Sequence, residues 1–139
     1  MITRYFQILS FSLICLLTQN LNAQVQLGAT IEDPDTIARL GWALDFSENG
    51  QRLLAGAPYA SPFYWLGGKV RVFDFVDGTW VQVGQELFGD RDVAFYGTHL
   101  SMSADGSRFA VSVDGDSHNE ISGEIIAYEL HNGQWDTLG

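Results

Sequence analysis

Across 139 residues, 17 acidic side chains outnumber 7 basic ones, giving a formal charge of −10 at pH 7. Phosphate backbones are held by basic patches, and here Lys69 and Arg71 are the only close basic pair, so no nucleic-acid partner is expected. One cysteine, Cys15, rules out an internal disulfide framework and any metal site built from several thiolates.

The chain opens with Arg4 and an apolar run over 8–17, which passes through Thr18-Gln19-Asn20-Leu21-Asn22 to the small Ala23. A basic start, a hydrophobic stretch well under the ~20 residues of a membrane span and a small residue at its end describe a secretory signal peptide over 1–23. Ile14 stands where a lipoprotein site would need a small residue before Cys15. Cleavage leaves a mature region of 24–139 without cysteine and without a membrane span, secreted or held at the cell surface. Its hydrophobic core alone must hold it together.

Eight short apolar segments follow: 42–47, 52–57, 69–76 and 79–87, then 98–103, 108–113, 124–130 and 134–138. Asn49-Gly50, Asp77-Gly78, Asp105-Gly106 and Asn132-Gly133 separate neighbours, and these pairs accept the positive φ of tight hairpins. Apolar side chains alternate in the first segments (Trp42, Leu44 and Phe46; Leu100 and Met102), as in strands with one buried face. The third segments are apolar on both faces, with Val70, Val72, Phe73 and Phe75 in one and Ile125, Ile126, Ala127 and Tyr128 in the other. Strands buried on both sides imply sheets stacked face to face.

The second group of four repeats the first. Gly41, Ser47, Gly50 and Arg52 fall 56 positions before Gly97, Ser103, Gly106 and Arg108, while Trp80 and Gly84 fall 55 before Trp135 and Gly139. Val25-Gln26-Leu27-Gly28 also precedes Val81-Gln82-Val83-Gly84 by 56. Four-stranded units at this spacing predict an all-β fold of two antiparallel β-propeller blades, about 41–84 and 97–139. Two blades do not close a propeller, so further blades or self-association are expected.

Leu40-Gly41 and Tyr96-Gly97, each followed by a Ser-x-x-Gly turn, and then Leu54-Ala55-Gly56-Ala57-Pro58, resemble FG-GAP repeats. These are the blades of the integrin-alpha N-terminal propeller and of many secreted bacterial proteins. The likeness covers roughly 25–139, nearly all of the mature chain. It departs from the pattern at Leu40, where an aromatic is usual, and at Ser112-Val113-Asp114, where Gly-Ala-Pro is usual. The resemblance implies adhesion or protein interaction and not catalysis.

It also implies a place to look for calcium. In register with the calcium turns of such repeats stand Asp45, Ser47, Asn49 and Leu53, and Ser101, Ser103, Asp105 and Phe109. Both turns lack the closing acid, so Asp45, Asn49 and Asp105 are weak ligand candidates and no cofactor is expected. The cluster from Asp114 through Asp116 to Glu120 adds two more weak candidates, Asp114 and Asp116, and reads more simply as a solvated loop. His99 and His131 complete no ligand set or catalytic group.

The stretch Pro58-Tyr59-Ala60-Ser61-Pro62-Phe63-Tyr64-Trp65-Leu66 holds the most suggestive side chains: Tyr59, Phe63, Tyr64 and Trp65 are candidate anchors for a protein or glycan ligand. The bland alternative is that Phe63, Trp65 and Leu66 cap a neighbouring sheet. A meander places the tight turns at one edge and the long connections 58–68, 85–96 and 114–123 at the other, the arrangement of a binding face on a rigid scaffold.

The sequence therefore describes a secreted, non-enzymatic interaction module of FG-GAP-like repeats. The alternatives are a carbohydrate-binding or enzyme-associated module of a larger secreted protein and a calcium-stabilised scaffold. Mass spectrometry of exported material is expected to give an N-terminus at Gln24; intact chain in a membrane fraction, with no processed form, contradicts the leader assignment.

Overall fold

The computed structural model describes residues 25–115 and 121–138. The leader over 1–23 with Cys15, the start at Gln24 and Asp116 of the acidic cluster lie outside the described residues. Among the described residues the chain is all-β, with no helix and so none long and apolar enough to cross a membrane.

Two antiparallel sheets follow one another. In the first, β1 (Ala43–Phe46), β2 (Arg52–Ala57), β3 (Lys69–Val76) and β4 (Thr79–Gln82) are successive neighbours, and β5 (Leu87–Phe88) also pairs with β3. The second is β6 (Leu100–Met102), β7 (Arg108–Val113), β8 (Glu124–His131) and β9 (Gln134–Thr137), again in chain order. Turn chemistry explains the order. Asp77-Gly78 and Asn132-Gly133 both take positive φ, as a two-residue hairpin turn requires. At Asn49-Gly50 and Asp105-Gly106 only the glycine does, and the Ser47 and Ser103 hydroxyls close a longer turn by accepting the Arg52 and Arg108 amides at 3.0 Å each.

The fourth strand departs from the sequence expectation, which runs unbroken over 79–87 in a four-stranded sheet. Gly84 takes a φ of 72°, and a Cβ there would lie 2.6 Å from the indole Cδ1 of Trp135. The chain bends beneath that ring and returns as β5, pairing Leu87 with Val70 and Phe88 with Lys69. The first sheet thus has five strands.

Period-2 alternation gives each sheet one face toward the other. Leu54, Val70 and Val72 of the first meet Phe109, Val111, Val113, Tyr128 and Trp135 of the second in one buried cluster, closed at the loop edge by Ala94 and Tyr96. Each fully buried aliphatic side chain here contributes about 1.5–3 kcal/mol. Phe109 stacks on Tyr128 at 5.1 Å and meets Trp135 edge-on at 4.8 Å. Burial, with the Tyr128 phenol beside it, pushes the Tyr96 hydroxyl far above the usual phenol range.

Polar groups stitch the same seam. Arg52 holds both oxygens of Asp74, at 2.6 and 2.7 Å, and donates its remaining Nη1 across the gap to the Gly106 carbonyl at 2.8 Å. Asp45 reaches over to accept the Met102 amide at 2.7 Å, and the Glu48 amide donates to the Ala104 carbonyl at 2.9 Å. Gln85 exchanges two hydrogen bonds with the backbone of Trp135, whose indole donates to the Val83 carbonyl at 3.0 Å.

The alternation of Leu44 and Phe46 does not bury them: they are 54% and 46% exposed, on the face of β1 turned away from the second sheet, while Trp42, 51% exposed just before the strand, turns to Tyr59. Residues 25–40 cover that face in part. The Trp80 indole donates to the Leu27 carbonyl at 3.2 Å, Arg71 to the Glu32 carbonyl at 3.3 Å, and Lys69 forms a buried ion pair with Asp33 at 2.7 Å.

The Lys69–Asp33 pair ties this segment down, because both side chains are over nine-tenths buried. Removing one partner strands the other charge. Asp33→Ala is expected to cost about 3–5 kcal/mol in urea unfolding, and pairing Asp33→Leu with Lys69→Met is expected to recover most of that loss.

Candidate functional site

The meander carries the connections β2–β3, β5–β6 and β7–β8 to one edge and the Asx-Gly turns to the other. Backbone bonds join the first two connections: the Val93, Phe95 and Tyr96 amides donate to the Trp65, Leu66 and Gly67 carbonyls at 2.8, 3.0 and 3.0 Å. The Trp65 amide donates to Asp92 at 2.7 Å, and the Ser61 hydroxyl accepts the Leu66 amide at 2.9 Å. The third connection joins them through the Asp114 amide, which donates to the Ala94 carbonyl at 2.8 Å, and through Arg91, which pairs with Glu124 at 3.1 Å.

Three residues other than glycine, Leu66, Val93 and Phe95, hold φ between 44° and 58° in these connections. Each such conformation costs on the order of 1 kcal/mol and persists where tertiary bonds over-determine it. The bonds just named do so, and the loops form one braced ledge.

Phe63, Tyr64 and Trp65 stand out from the ledge at 72%, 44% and 66% exposure. Phe63 meets the ring of Phe88 edge-on at 5.0 Å, and Leu66 is half-buried. Tyr59 is set apart from this group. It lies half-buried between Trp42 and Phe95, each 5.5 Å away by ring centre, beneath the guanidinium of Arg39.

The turn residues do not converge as ligands. Asp45 points across the seam, Asn49 accepts the Ser47 hydroxyl at 2.8 Å and the Gln51 amide at 2.9 Å, and Leu53 and Phe109 are buried. Asp105 accepts from the Ser103 and Ser107 hydroxyls and the Ser107 amide, and these bonds hold its carboxyl down at about 2. Asp114 lies at the long-loop edge, far in the meander from the turns. Among the described residues no three of His, Cys, Asp or Glu gather as metal ligands would.

Sequence reasoning missed one close pair, Ser112 and His99. The Ser112 hydroxyl accepts the His99 amide at 3.0 Å and lies 3.5 Å from its Nδ1 on the exposed face of the second sheet. Cross-strand proximity of a β7 residue to the start of β6 is the signal that could have found it.

No protein-family model and no characterised protein matches this chain. The two repeats, however, share contacts with each other. The indole-to-carbonyl bond from Trp135 to Val83 recurs as Trp80 to Leu27, and the Gln82 amide bond to the Gly84 carbonyl recurs as Gln26 to Gly28, all four at 3.0–3.3 Å. A Cβ on Gly28 would meet Trp80 and the Gly78 carbonyl, just as one on Gly84 would meet Trp135 and the Gly133 carbonyl.

With the turn oxygens committed to their own hydrogen bonds, calorimetric titration with calcium is expected to show nothing tighter than roughly millimolar, unchanged by Asp45→Ala. Micromolar binding lost in that variant contradicts the assignment.

Proposed function

We propose that the chain is a secreted, non-enzymatic interaction module, built from two FG-GAP-like blades of a β-propeller and binding a protein partner at its long-loop edge. The observation that carries the repeat reading is the duplicated contact set. Residues 25–28 sit on the first sheet as residues 81–84 sit on the second, so the first sheet presents the outer-strand end of one more blade stacked against it.

Further, non-identical blades fit this scheme better than self-stacking. Gly56 lies so close to Gly97 that a Cβ on it would overlap the Gly97 carbonyl oxygen. The matching residue on the far face of the second sheet is Ser112, which pairs with Ile125 as Gly56 pairs with Val70. A second copy docked in the same geometry would clash there.

The partner reading rests on the braced ledge. Exposed rings on a rigid support lose little entropy on binding, which is the character of interface anchors. A glycan is the second reading, favoured by the 72% and 66% exposure of Phe63 and Trp65. Once a ligand is found by glycan array or pull-down, Trp65→Ala and Tyr64→Ala are expected each to weaken binding by about 2 kcal/mol with the fold intact. Asn132→Ala, in a tight turn at the opposite edge, is expected to leave binding unchanged. The reverse pattern places the site elsewhere.

A further inference from the structure

Beside the ledge, Trp42, Tyr59, Phe95, Thr98 and Asp114 line a recess of about 130 Å³. Its rings come from both repeats, and the ring of Tyr59 is tilted by 60° to Trp42 and 68° to Phe95. The guanidinium of Arg39 lies 4.2 Å from the centre of Tyr59 and 5.6 Å from that of Trp42. Among the described residues the exposed Arg39 has no carboxylate within ion-pair distance, and its guanidinium lies against aromatic faces. The negative ring face attracts a guanidinium, whose planar, weakly hydrated form suits stacking.

The backbone sets this arrangement. Arg39 precedes Gly41 as Phe95 precedes Gly97, and both take positive φ, 57° and 44°. The Trp42 and Thr98 amides donate to the Arg39 and Phe95 carbonyls at 3.1 Å each, fixing equivalent turns. The second repeat thus supplies a ring where the first supplies a cation, and both side chains meet Tyr59.

We propose that this recess is a binding site for an arginine side chain of a partner protein, with Arg39 as the chain's own competitor for the Tyr59 and Trp42 ring faces that an incoming guanidinium would use. Asp114, in its wall, and the chain's net charge of −10 favour a cationic ligand over a neutral one. The inference deepens the partner reading by naming the chemistry recognised, and it is tested without a partner, so its failure and the failure of the ledge are separate results.

The test uses the full chain, with Nα-acetyl-arginine amide as probe and its citrulline counterpart as the neutral isostere. The indole N–H signal of Trp42 in two-dimensional NMR reports binding. In the unaltered protein the probe is expected to shift that signal weakly. In Arg39→Ala, or in Arg39→Gln if the first variant is poorly folded, the shift becomes saturable, and the arginine probe binds on the order of ten-fold more tightly than the citrulline one. Adding Tyr59→Leu to the Arg39 variant is expected to abolish the response while the remaining amide signals stay dispersed. Equal binding of arginine and citrulline, no gain on removing Arg39, or an undiminished response without Tyr59 each overturns the proposal.

Discussion

Two backbones touch where β2 ends and the second repeat begins. Gly56 and Gly97 approach so closely that neither tolerates a side chain in the gap, since a Cβ on Gly97 would lie 2.8 Å from Val70 Cγ2 and 3.0 Å from the Lys69 carbonyl. This approach sets the spacing of the sheets at the long-loop edge. Given that spacing, Leu54, Val70 and Val72 reach Phe109, Val111 and Tyr128, and the guanidinium of Arg52 reaches Gly106 at the other edge. The loops are braced for the same reason. Close contact near Gly97 brings 89–96 against 58–68, where their backbones bond in place of water.

The seam is polar at its ends and apolar in its middle, and the two parts have different jobs. The apolar layer supplies most of the free energy, without fixing one sheet against sliding on the other. The bonds of Asp45 to Met102, Arg52 to Gly106 and Gln85 to Trp135 are directional, and each is satisfied in one register. Lys69–Asp33 and Arg91–Glu124 act at equivalent places with their signs reversed, as Lys69 and Glu124 occupy matching positions on β3 and β8. Reversed signs disfavour exchange between the two sites, because either swapped combination would bring like charges together.

Local chemistry was legible and long-range chemistry was not. The bounds of β2, β3 and β7 follow from alternation and flanking turn residues, and Asp77-Gly78 and Asn132-Gly133 announce their hairpins. Leu53 and Phe109 could be assigned to the core because they stand where a ligand acid is missing. The break at Gly84 could not be read, since it answers to a tryptophan 51 residues further along the chain. Alternation in β1 showed that Leu44 and Phe46 share a face but not that the face is open, nor that Trp42 turns from it to Tyr59. The aromatic stretch was legible as a candidate anchor, yet separating Tyr59 from Phe63, Tyr64 and Trp65 required knowing that Arg39, twenty residues upstream, lies over it.

The serine at 112, where the first repeat has Gly56, gives the pair of repeats a direction. A protein with their order exchanged would contain every apolar contact residue and every hairpin turn, yet it would press a hydroxymethyl group against a carbonyl at the tightest point of the junction. Recombination between the two halves of the coding sequence is therefore not neutral, although the repeats are close in length and pattern. One small side chain keeps an outwardly periodic chain from being modular, while its hydroxyl serves its own sheet by accepting the His99 amide.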